Sequence, residues 1–157
     1  MRHMRASSLL SLFLLLIVLF AVTACAPVST SQPAEKGAAD YKIVLLLPGP
    51  INDQSWNATN YAGLEKANAT LGTKIEYIEN VQAADFESTF RNYAERGYDL
   101  IMAAGTQFDE AANKVAKEYP NTKFTVVNGM MSEGENVAPI FPKEYEASYI
   151  AGMIAGE

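Results

Sequence analysis

The chain has 157 residues, of which 49% are hydrophobic, 12 are Lys or Arg, 18 are Asp or Glu and one is Cys, for a formal charge of −6. That length allows one domain of ordinary size, and the apolar, sparsely charged composition excludes a disordered chain. A single cysteine excludes a disulfide framework and a four-cysteine zinc site, and the acidic balance argues against nucleic acid as a partner. No charged residue occurs between Arg5 and Glu35, so the chain combines two segments of different character.

The N-terminal segment has the pattern of a secretory signal. Arg2 and Arg5 precede an apolar run over residues 9–22, which is the order of the basic and hydrophobic regions in signal peptides. As a helix this run would span about 21 Å, short of the roughly 30 Å hydrocarbon core. A membrane-spanning helix becomes possible only if the segment extends to Ala26. We therefore predict a signal peptide over residues 1–24.

The predicted signal peptide ends at a sequence that resembles the bacterial lipobox, Val22-Thr23-Ala24-Cys25. In that motif a branched apolar residue and two small residues precede the cysteine that is lipidated, so Cys25 is the predicted lipidation site. The alternative is that Cys25 is a small buried hydrophobe at the end of a signal anchor. Residues 25–40 are rich in Ala, Ser, Pro, Thr and Gln and predict a flexible tether.

Beyond the tether, strand patterns alternate with helical ones. Strands are predicted where apolar residues run continuously or alternate with polar ones, and helices where they recur at helical spacing. The predicted strands are 42–47, 74–78, 100–104, 124–127 and 137–141, and the predicted helices are 55–71, 85–96, 109–119 and one from about Lys143. This alternation predicts an α/β fold, with a parallel sheet flanked by helices on both faces.

Helix ends and core positions refine this prediction. Ser55 or Asp53 can cap the first helix, Gly72 is placed to end it, and Gly97 to end the second. The predicted core includes Tyr77, Tyr93 and Tyr149. The apolar side of the last helix consists of Tyr145, Tyr149, Ile150, Met153 and Ile154. The sequence stops inside this helix without a capping residue, which predicts that further chain follows.

A ligand site is predicted at one edge of the sheet. In an open parallel sheet ligands bind beyond the carboxyl ends of the strands, so the candidate loops are 48–56, 80–85, 105–110 and 128–134. The first loop leads into the one tryptophan, Trp56. The polar side chains around it are Asn52, Asp53, Ser55 and Asn57. The third offers Thr106, Gln107, Phe108, Asp109 and Glu110. Such loops suit a polar, planar or hydroxylated small molecule. The competing interpretation makes Trp56 a core residue and Asp53 and Asp109 plain helix caps.

Sequence motifs of common enzymes are absent. The first strand is followed by Pro-Gly-Pro and not by Gly-x-Gly-x-x-Gly, and no Gly-x-x-x-x-Gly-Lys occurs, so neither dinucleotide nor nucleotide-phosphate binding is predicted. The one histidine, His3, lies in the predicted signal peptide, which removes the usual general base and metal ligand. The sequence therefore predicts a binding protein with no catalytic residues, no cofactor and no metal site.

Four segments of the chain, together with the lipobox, resemble one family. They are residues 49–57 (GPINDQSWN), 98–106 (YDLIMAAGT), 116–124 (AKEYPNTKF) and 146–152 (EASYIAG). They resemble the basic membrane protein (BMP) lipoproteins, which are similar to the purine nucleoside receptor A type of ABC-transporter substrate-binding protein.

That resemblance implies a type I periplasmic-binding-protein fold, in which two α/β lobes close on a ligand. Residues 41–142 would form the N-terminal lobe and residues 143–157 the start of the second. The implied ligand is a small polar molecule, above all a purine nucleoside, and the implied partners are ABC permease and ATPase subunits. A lipid anchor would hold the protein on the extracytoplasmic face of the cell membrane. The alternative is a surface receptor or interaction lipoprotein without a transport role.

The same resemblance implies roles for individual residues. Asn52 and Asp53 would hydrogen-bond the ligand, and Trp56 would stack against its base, where phenylalanine is common in the family. The acidic residue that follows the third strand would be Glu110 or Asp109, depending on the register of the loop. The candidate ligand-binding residues are therefore Asn52, Asp53, Ser55, Trp56, Asn57, Asp109 and Glu110.

Overall fold

The structure is a computed structural model that describes residues 36–156. The predicted signal peptide, Cys25 and the first part of the predicted tether lie outside the described residues. The elements in chain order are β1 (Lys42–Leu46), α1 (Trp56–Leu71), β2 (Lys74–Ile78), α2 (Phe86–Glu95), β3 (Leu100–Ala104), α3 (Asp109–Ala116), β4 (Lys123–Val127) and α4 (Glu144–Ala155). Short 3-10 turns precede β1, α2 and α3, at Ala38–Asp40, Ala83–Asp85 and Thr106–Phe108. Within residues 36–156, no helix has the length and apolar character needed to cross a membrane.

The four strands form one parallel sheet in the order β2-β1-β3-β4. β1 pairs with β2 on one side and with β3 on the other, so that Leu45 lies opposite both Tyr77 and Met102. Because the chain leaves β1 toward one side and returns to build β3 on the other, the strand order reverses between β1 and β3. This is the topological switch point, where the carboxyl ends of an open α/β sheet leave a crevice.

Helices cover the two faces of the sheet unequally. On one face α2 and α3 pack onto the sheet through a large apolar cluster in which Phe90, Phe108 and Phe124 are fully buried. On the other face α1 packs on a smaller cluster formed by Leu45, Leu47, Leu64 and Ala104. Full burial of such a side chain contributes about 1.5–3 kcal/mol, so the face covered by α2 and α3 supplies most of the packing energy. This arrangement confirms the predicted α/β class.

The helices end where the local sequence predicts, except for α3, which is shorter than predicted. Gly72 and Gly97 have φ values of 69° and 72°, as predicted for glycines that follow helices and have no Cβ to strain the left-handed conformation. The helix predicted over residues 109–119 ends at Ala116. Pro120 explains the shorter helix, because a proline disfavours helical geometry at the residue before it.

Residues 137–141 do not form the predicted fifth strand. They run beside β4 and join it through two isolated parallel bridges, between Phe124 and Val137 and between Val127 and Ile140. The nitrogen of Pro139 faces away from β4, because the N–H groups of the residues on either side of it donate to β4 carbonyls, so the proline occupies the open side of an edge segment, where a missing donor is tolerated. The prediction of a strand was wrong, although the segment does extend the edge of the sheet.

Two of the three tyrosines predicted to lie in the core are exposed. Tyr93 is buried as predicted, but Tyr77 is 37% and Tyr149 is 70% exposed. Tyr77 lies on the edge strand β2, where its ring packs against Tyr61 of α1 at a centroid distance of 4.6 Å. Tyr149 lies on the apolar side of α4, which faces solvent. The other exposed side chains of that side are Tyr145, Ile150, Met153 and Ile154.

Candidate ligand-binding site

The loops that follow the strands share one backbone feature. Each contains a residue with positive φ: Gln54 after β1 (54°), Asn80 after β2 (57°), Gly105 after β3 (133°) and Asn128 after β4 (61°). In residues other than glycine such conformations cost about 1–3 kcal/mol each, and they cluster at functional sites, where the surrounding structure holds them. Backbone geometry as well as topology therefore favours the carboxyl edge of the sheet as the site.

Trp56 lies at the switch point between β1 and β3. Its indole Nε1 donates a hydrogen bond to the carbonyl oxygen of Ala104 at 3.0 Å. This bond joins the first residue of α1 to the last residue of β3. The indole is half-buried and packs against the apolar cluster of the α1 face. Trp56 is therefore a core residue that also lies at the switch point. A core role and a ligand-binding role, the two interpretations of the sequence, are thus compatible.

Asp53 caps α1. Its carboxylate accepts the backbone N–H groups of Ser55 (2.9 Å), Asn57 (2.9 Å) and Ala58 (3.0 Å), and the side-chain Nδ2 of Asn57 at 2.8 Å. These donors, the N–H of Ala58 first, lower the pKa of Asp53 from 3.8 to about 2. Ser55, the other predicted cap, makes no capping bond with its side chain. The carboxylate of Asp53 is thus engaged by the start of the helix.

The other polar side chains of the first loop differ in their exposure. Asn52 and Ser55 are exposed and accessible to a ligand. Asn57 is buried and lies so close to Gly49 that a Cβ there would be 2.7 Å from Nδ2 of Asn57. Asn57 therefore fixes the shape of the loop, and Asn52 and Ser55 are presented to solvent.

The two acidic candidates after β3 also differ in exposure. Asp109 is only 5% exposed, and its Oδ2 accepts the backbone N–H of Met130 at 2.8 Å. Its Oδ1, which finds no hydrogen-bond partner among the described residues, lies against Gly129, where a Cβ would be only 2.5 Å away. Glu110 is exposed. Asp109 therefore ties the start of α3 to the loop after β4, and Glu110 is the accessible carboxylate of the pair.

The loop after β3 turns at Gly105. Its φ of 133° and ψ of 146° fall in a region essentially restricted to glycine. The side chain of Gln107 folds back over this residue, since a Cβ on Gly105 would clash with Gln107 Oε1. Thr106 and Gln107 are exposed, whereas Phe108 is fully buried. Phe108 therefore belongs to the core. Gln107, which the sequence offered in this loop but which is not among the seven ligand-binding candidates, is presented at the carboxyl edge.

The remaining loops contribute structure at the same edge. Oε1 of Glu79, after β2, accepts the backbone N–H of Ile51 at 2.5 Å and so joins the second loop to the first. A cavity of about 460 Å³ lies on the outer side of β2, away from the switch point, with polar lining residues that include Asn80, Gln82 and Ser88. Within residues 36–156, no cluster of three or more His, Cys, Asp or Glu residues is arranged to hold a metal ion.

Comparison with known proteins identifies the family. The sequence profile of the Bmp family, described as ABC transporter substrate-binding protein PnrA-like, matches residues 41–157. The chain belongs to the Bmp family. This confirms the resemblance seen in the sequence, and the family is one of ABC-transporter substrate-binding proteins.

Relatives of this chain include proteins with nucleoside-related names. The nucleoside-binding protein BmpA of an ABC transporter from Lactococcus lactis is 26% identical over 111 residues, which cover 68% of this chain and 32% of that protein. A purine-binding protein from Brucella abortus is 29% identical over 119 residues, which cover 74% of this chain and 34% of that protein. An uncharacterized lipoprotein from Pyrococcus furiosus is 32% identical over 114 residues, or 71% of this chain and 29% of that protein.

A solved structure supports the same assignment. An ABC transporter solute-binding protein from Aeropyrum pernix matches with a TM-score of 0.69 at 29% identity, over 73% of this chain and 32% of that one. The chain spans about a third of the length of these relatives. The match confirms the predicted fold class, a parallel α/β lobe of the periplasmic-binding-protein type.

Proposed function

We propose that this chain forms the N-terminal lobe of a membrane-anchored substrate-binding protein of an ABC importer, and that its ligand is a purine nucleoside. The observation that carries the proposal is the position of Trp56, which its bond to Ala104 holds at the switch point of the sheet. An indole there offers a flat surface for a base, and stacking on an aromatic side chain contributes about 1–3 kcal/mol per base. The names of the Lactococcus lactis and Brucella abortus relatives support this ligand class.

In this proposal the polar residues of the site divide into two groups. Asp53 and Asp109 hold the loops, because their carboxylates accept backbone N–H groups. Asn52, Ser55 and Glu110 are exposed at the same edge and are available to ribose hydroxyls or base edges. Ligands that fail to satisfy such groups in a closed site are strongly disfavoured, so these three side chains would discriminate among nucleosides.

The proposed site is completed by a second lobe. Residues 41–142 would form the first lobe and residues 143–157 the start of the second, with the ligand held in the cleft between them. The exposed apolar side of α4 supports this division, because side chains such as Ile150 and Ile154 would be buried once a second lobe packs against them. Closure of two lobes also removes water from the ligand, which strengthens its polar contacts.

The proposed anchor is a lipid on Cys25, after cleavage of residues 1–24. Residues 25–40 would be the tether, and the lipoprotein from Pyrococcus furiosus supports membrane attachment. Near the end of the tether Lys36 pairs with Asp99, which also accepts the backbone N–H of Lys42 at 2.9 Å. Both contacts lie at the amino edge of the sheet, which is the edge at which the parallel strands begin. The described end of the proposed tether, residues 36–40, thus joins the lobe at the edge of the sheet opposite the candidate ligand site.

A thermal-shift screen of the full-length protein tests this function. The probes are adenosine, guanosine and inosine, with sugars, amino acids and riboflavin as comparison ligands. A ligand at 100 times its Kd adds about 2.7 kcal/mol of stability, so we expect the melting temperature to rise with nucleosides only. If no small molecule raises it, the transport proposal is contradicted and the alternative, a surface receptor or interaction lipoprotein, is favoured.

A further inference from the structure

The two aspartates expected to contact a ligand are already engaged by the protein. Asp53 accepts four N–H donors at the start of α1. Asp109 is buried; its Oδ2 accepts the N–H of Met130, and its Oδ1 lies against Gly129. A ligand that stacks at the switch point can gain a further polar partner from the nearest strand end, which is that of β3.

Gly105 places one such residue there. Its glycine-only conformation turns the chain so that the carboxamide of Gln107 lies over the end of β3: a Cβ on Gly105 would clash with Oε1 and lie 2.8 Å from Nε2. The preceding residue, Ala104, accepts the indole N–H of Trp56. The indole of Trp56 is thus bound to Ala104, and the carboxamide of Gln107 lies against the next residue, Gly105.

We propose that Gln107 recognises the ligand, by hydrogen bonds from its exposed carboxamide to the polar edge of the base that stacks on Trp56. This inference rests on the proposed function. A carboxamide offers an N–H donor and an oxygen acceptor side by side, which complements the adjacent carbonyl and N–H of a hypoxanthine or guanine base. It carries no charge, so it suits a neutral nucleoside. Gln107 would therefore favour bases that carry this carbonyl and N–H side by side, while Trp56 accepts any base.

The test is calorimetry of the full-length protein with inosine and with purine riboside, which lacks the base carbonyl and the N–H beside it. Gln107→Leu keeps a similar volume and removes the carboxamide. We expect the affinity for inosine to fall about ten-fold, as when a buried polar group loses its partner, and the affinity for purine riboside to stay unchanged. The matched control is Asn121→Leu, which removes an exposed carboxamide just before β4, at the opposite edge of the sheet. It should leave both affinities unchanged.

The possible outcomes separate the two proposals. If wild-type protein binds inosine and Gln107→Leu binds it equally well, or loses both ligands equally, the role of Gln107 is overturned and the proposed function stands. If the wild-type protein binds no nucleoside, the ligand class fails, and the recognition of a purine edge by Gln107 fails with it. Gln107→Glu, which keeps the acceptor and removes the donor, should also weaken inosine binding, and it provides the same test should the leucine variant prove unstable.

Discussion

The amino and carboxyl edges of the sheet use left-handed backbone in different ways. At the amino edge positive φ values occur at Gly72 and Gly97, where a helix ends and glycine adopts the conformation without steric strain. At the carboxyl edge they occur also at Gln54, Asn80 and Asn128, and side chains disfavour the left-handed region there. The amino edge is therefore built from relaxed turns, whereas the carboxyl edge maintains strain, as expected where side chains must be held in fixed positions.

The acidic groups of the two edges differ in their partners as well. Near the amino edge Glu76 accepts two tyrosine hydroxyls and the guanidinium of Arg96, and Asp99 accepts both the ammonium of Lys36 and one backbone N–H, so most partners of these acids are side chains. At the carboxyl edge Asp53, Glu79 and Asp109 each accept a backbone N–H of a loop. These three acids thus shape the loops, and the exposed side chains of Asn52, Ser55, Gln107 and Glu110 remain to contact a ligand.

The largest expected effect on stability comes from Phe108→Ala, which tests where the loop after β3 stops and the core begins. The ring is fully buried and lies 4.1 Å from the ring of Phe86 between centroids. Its removal should destabilise the fold by about 3–5 kcal/mol, the usual cost of a large cavity, measured by denaturant unfolding. Thr106→Ala, an exposed neighbour in the same turn, should cost less than about 0.5 kcal/mol. Similar values for the two variants would contradict the assignment of Phe108 to the core.

Trp56→Ala tests the carboxyl edge as a ligand surface. We expect it to weaken nucleoside binding by about 1–3 kcal/mol, the contribution of stacking on an aromatic side chain, measured by calorimetry of the full-length protein. Trp56→Phe keeps a stacking ring but loses the bond to Ala104, so its affinity should be intermediate. The control is Tyr77→Ala, an exposed aromatic on the edge strand, which should bind as wild type does. Wild-type affinity in Trp56→Ala would assign the indole to the core alone.

Features encoded by neighbouring residues could be predicted from the sequence. The strands 74–78 and 100–104 and the stops at Gly72 and Gly97 have such local signals, and the structure places them as predicted. Features that depend on distant partners could not be predicted in the same way. Apolar spacing identified the helix that contains Tyr149, but it does not state what packs against that helix. Residues 137–141 likewise have the apolar pattern of a strand, but whether they form one depends on how they pair with β4.

The candidate site shows the same division. The predicted topology indicated which loops lie together at the carboxyl edge. The local sequence around an aspartate that caps a helix, however, does not differ from that around one that binds a ligand. The bond from Met130 to Asp109 joins residues 21 positions apart. The position of Gln107 depends on the φ of Gly105. The sequence shows that a glycine is present there, but it does not show which φ that glycine adopts. The exposure of each side chain therefore required the folded structure.

Asp53→Ala tests the strained first loop through its pH dependence. The variant should melt at a lower temperature than wild type at neutral pH, because α1 loses an acceptor for three backbone N–H groups. The folded-state pKa, about 2, lies below the ordinary value of 3.8, so this stabilisation is present above pH 3.8 and is lost as the pH falls toward 2. The two melting temperatures should converge over that range. A constant difference would show that the charge of Asp53 is not what stabilises the helix.

The smallest expected effect is that of Glu76→Gln, which tests whether the amino edge is independent of the ligand site. The side chain is 37% exposed, so solvent screening limits its contribution to about 1 kcal/mol or less. The hydrogen bond from the hydroxyl of Tyr98 is the main cause that lowers the pKa of Glu76 below its ordinary value of 4.5. The stabilisation is therefore present above pH 4.5 and declines as the pH falls below it, which unfolding at neutral and acidic pH can measure. Nucleoside affinity should not change, because the partners of Glu76 lie near the amino edge. A change in affinity would show that the two edges are coupled.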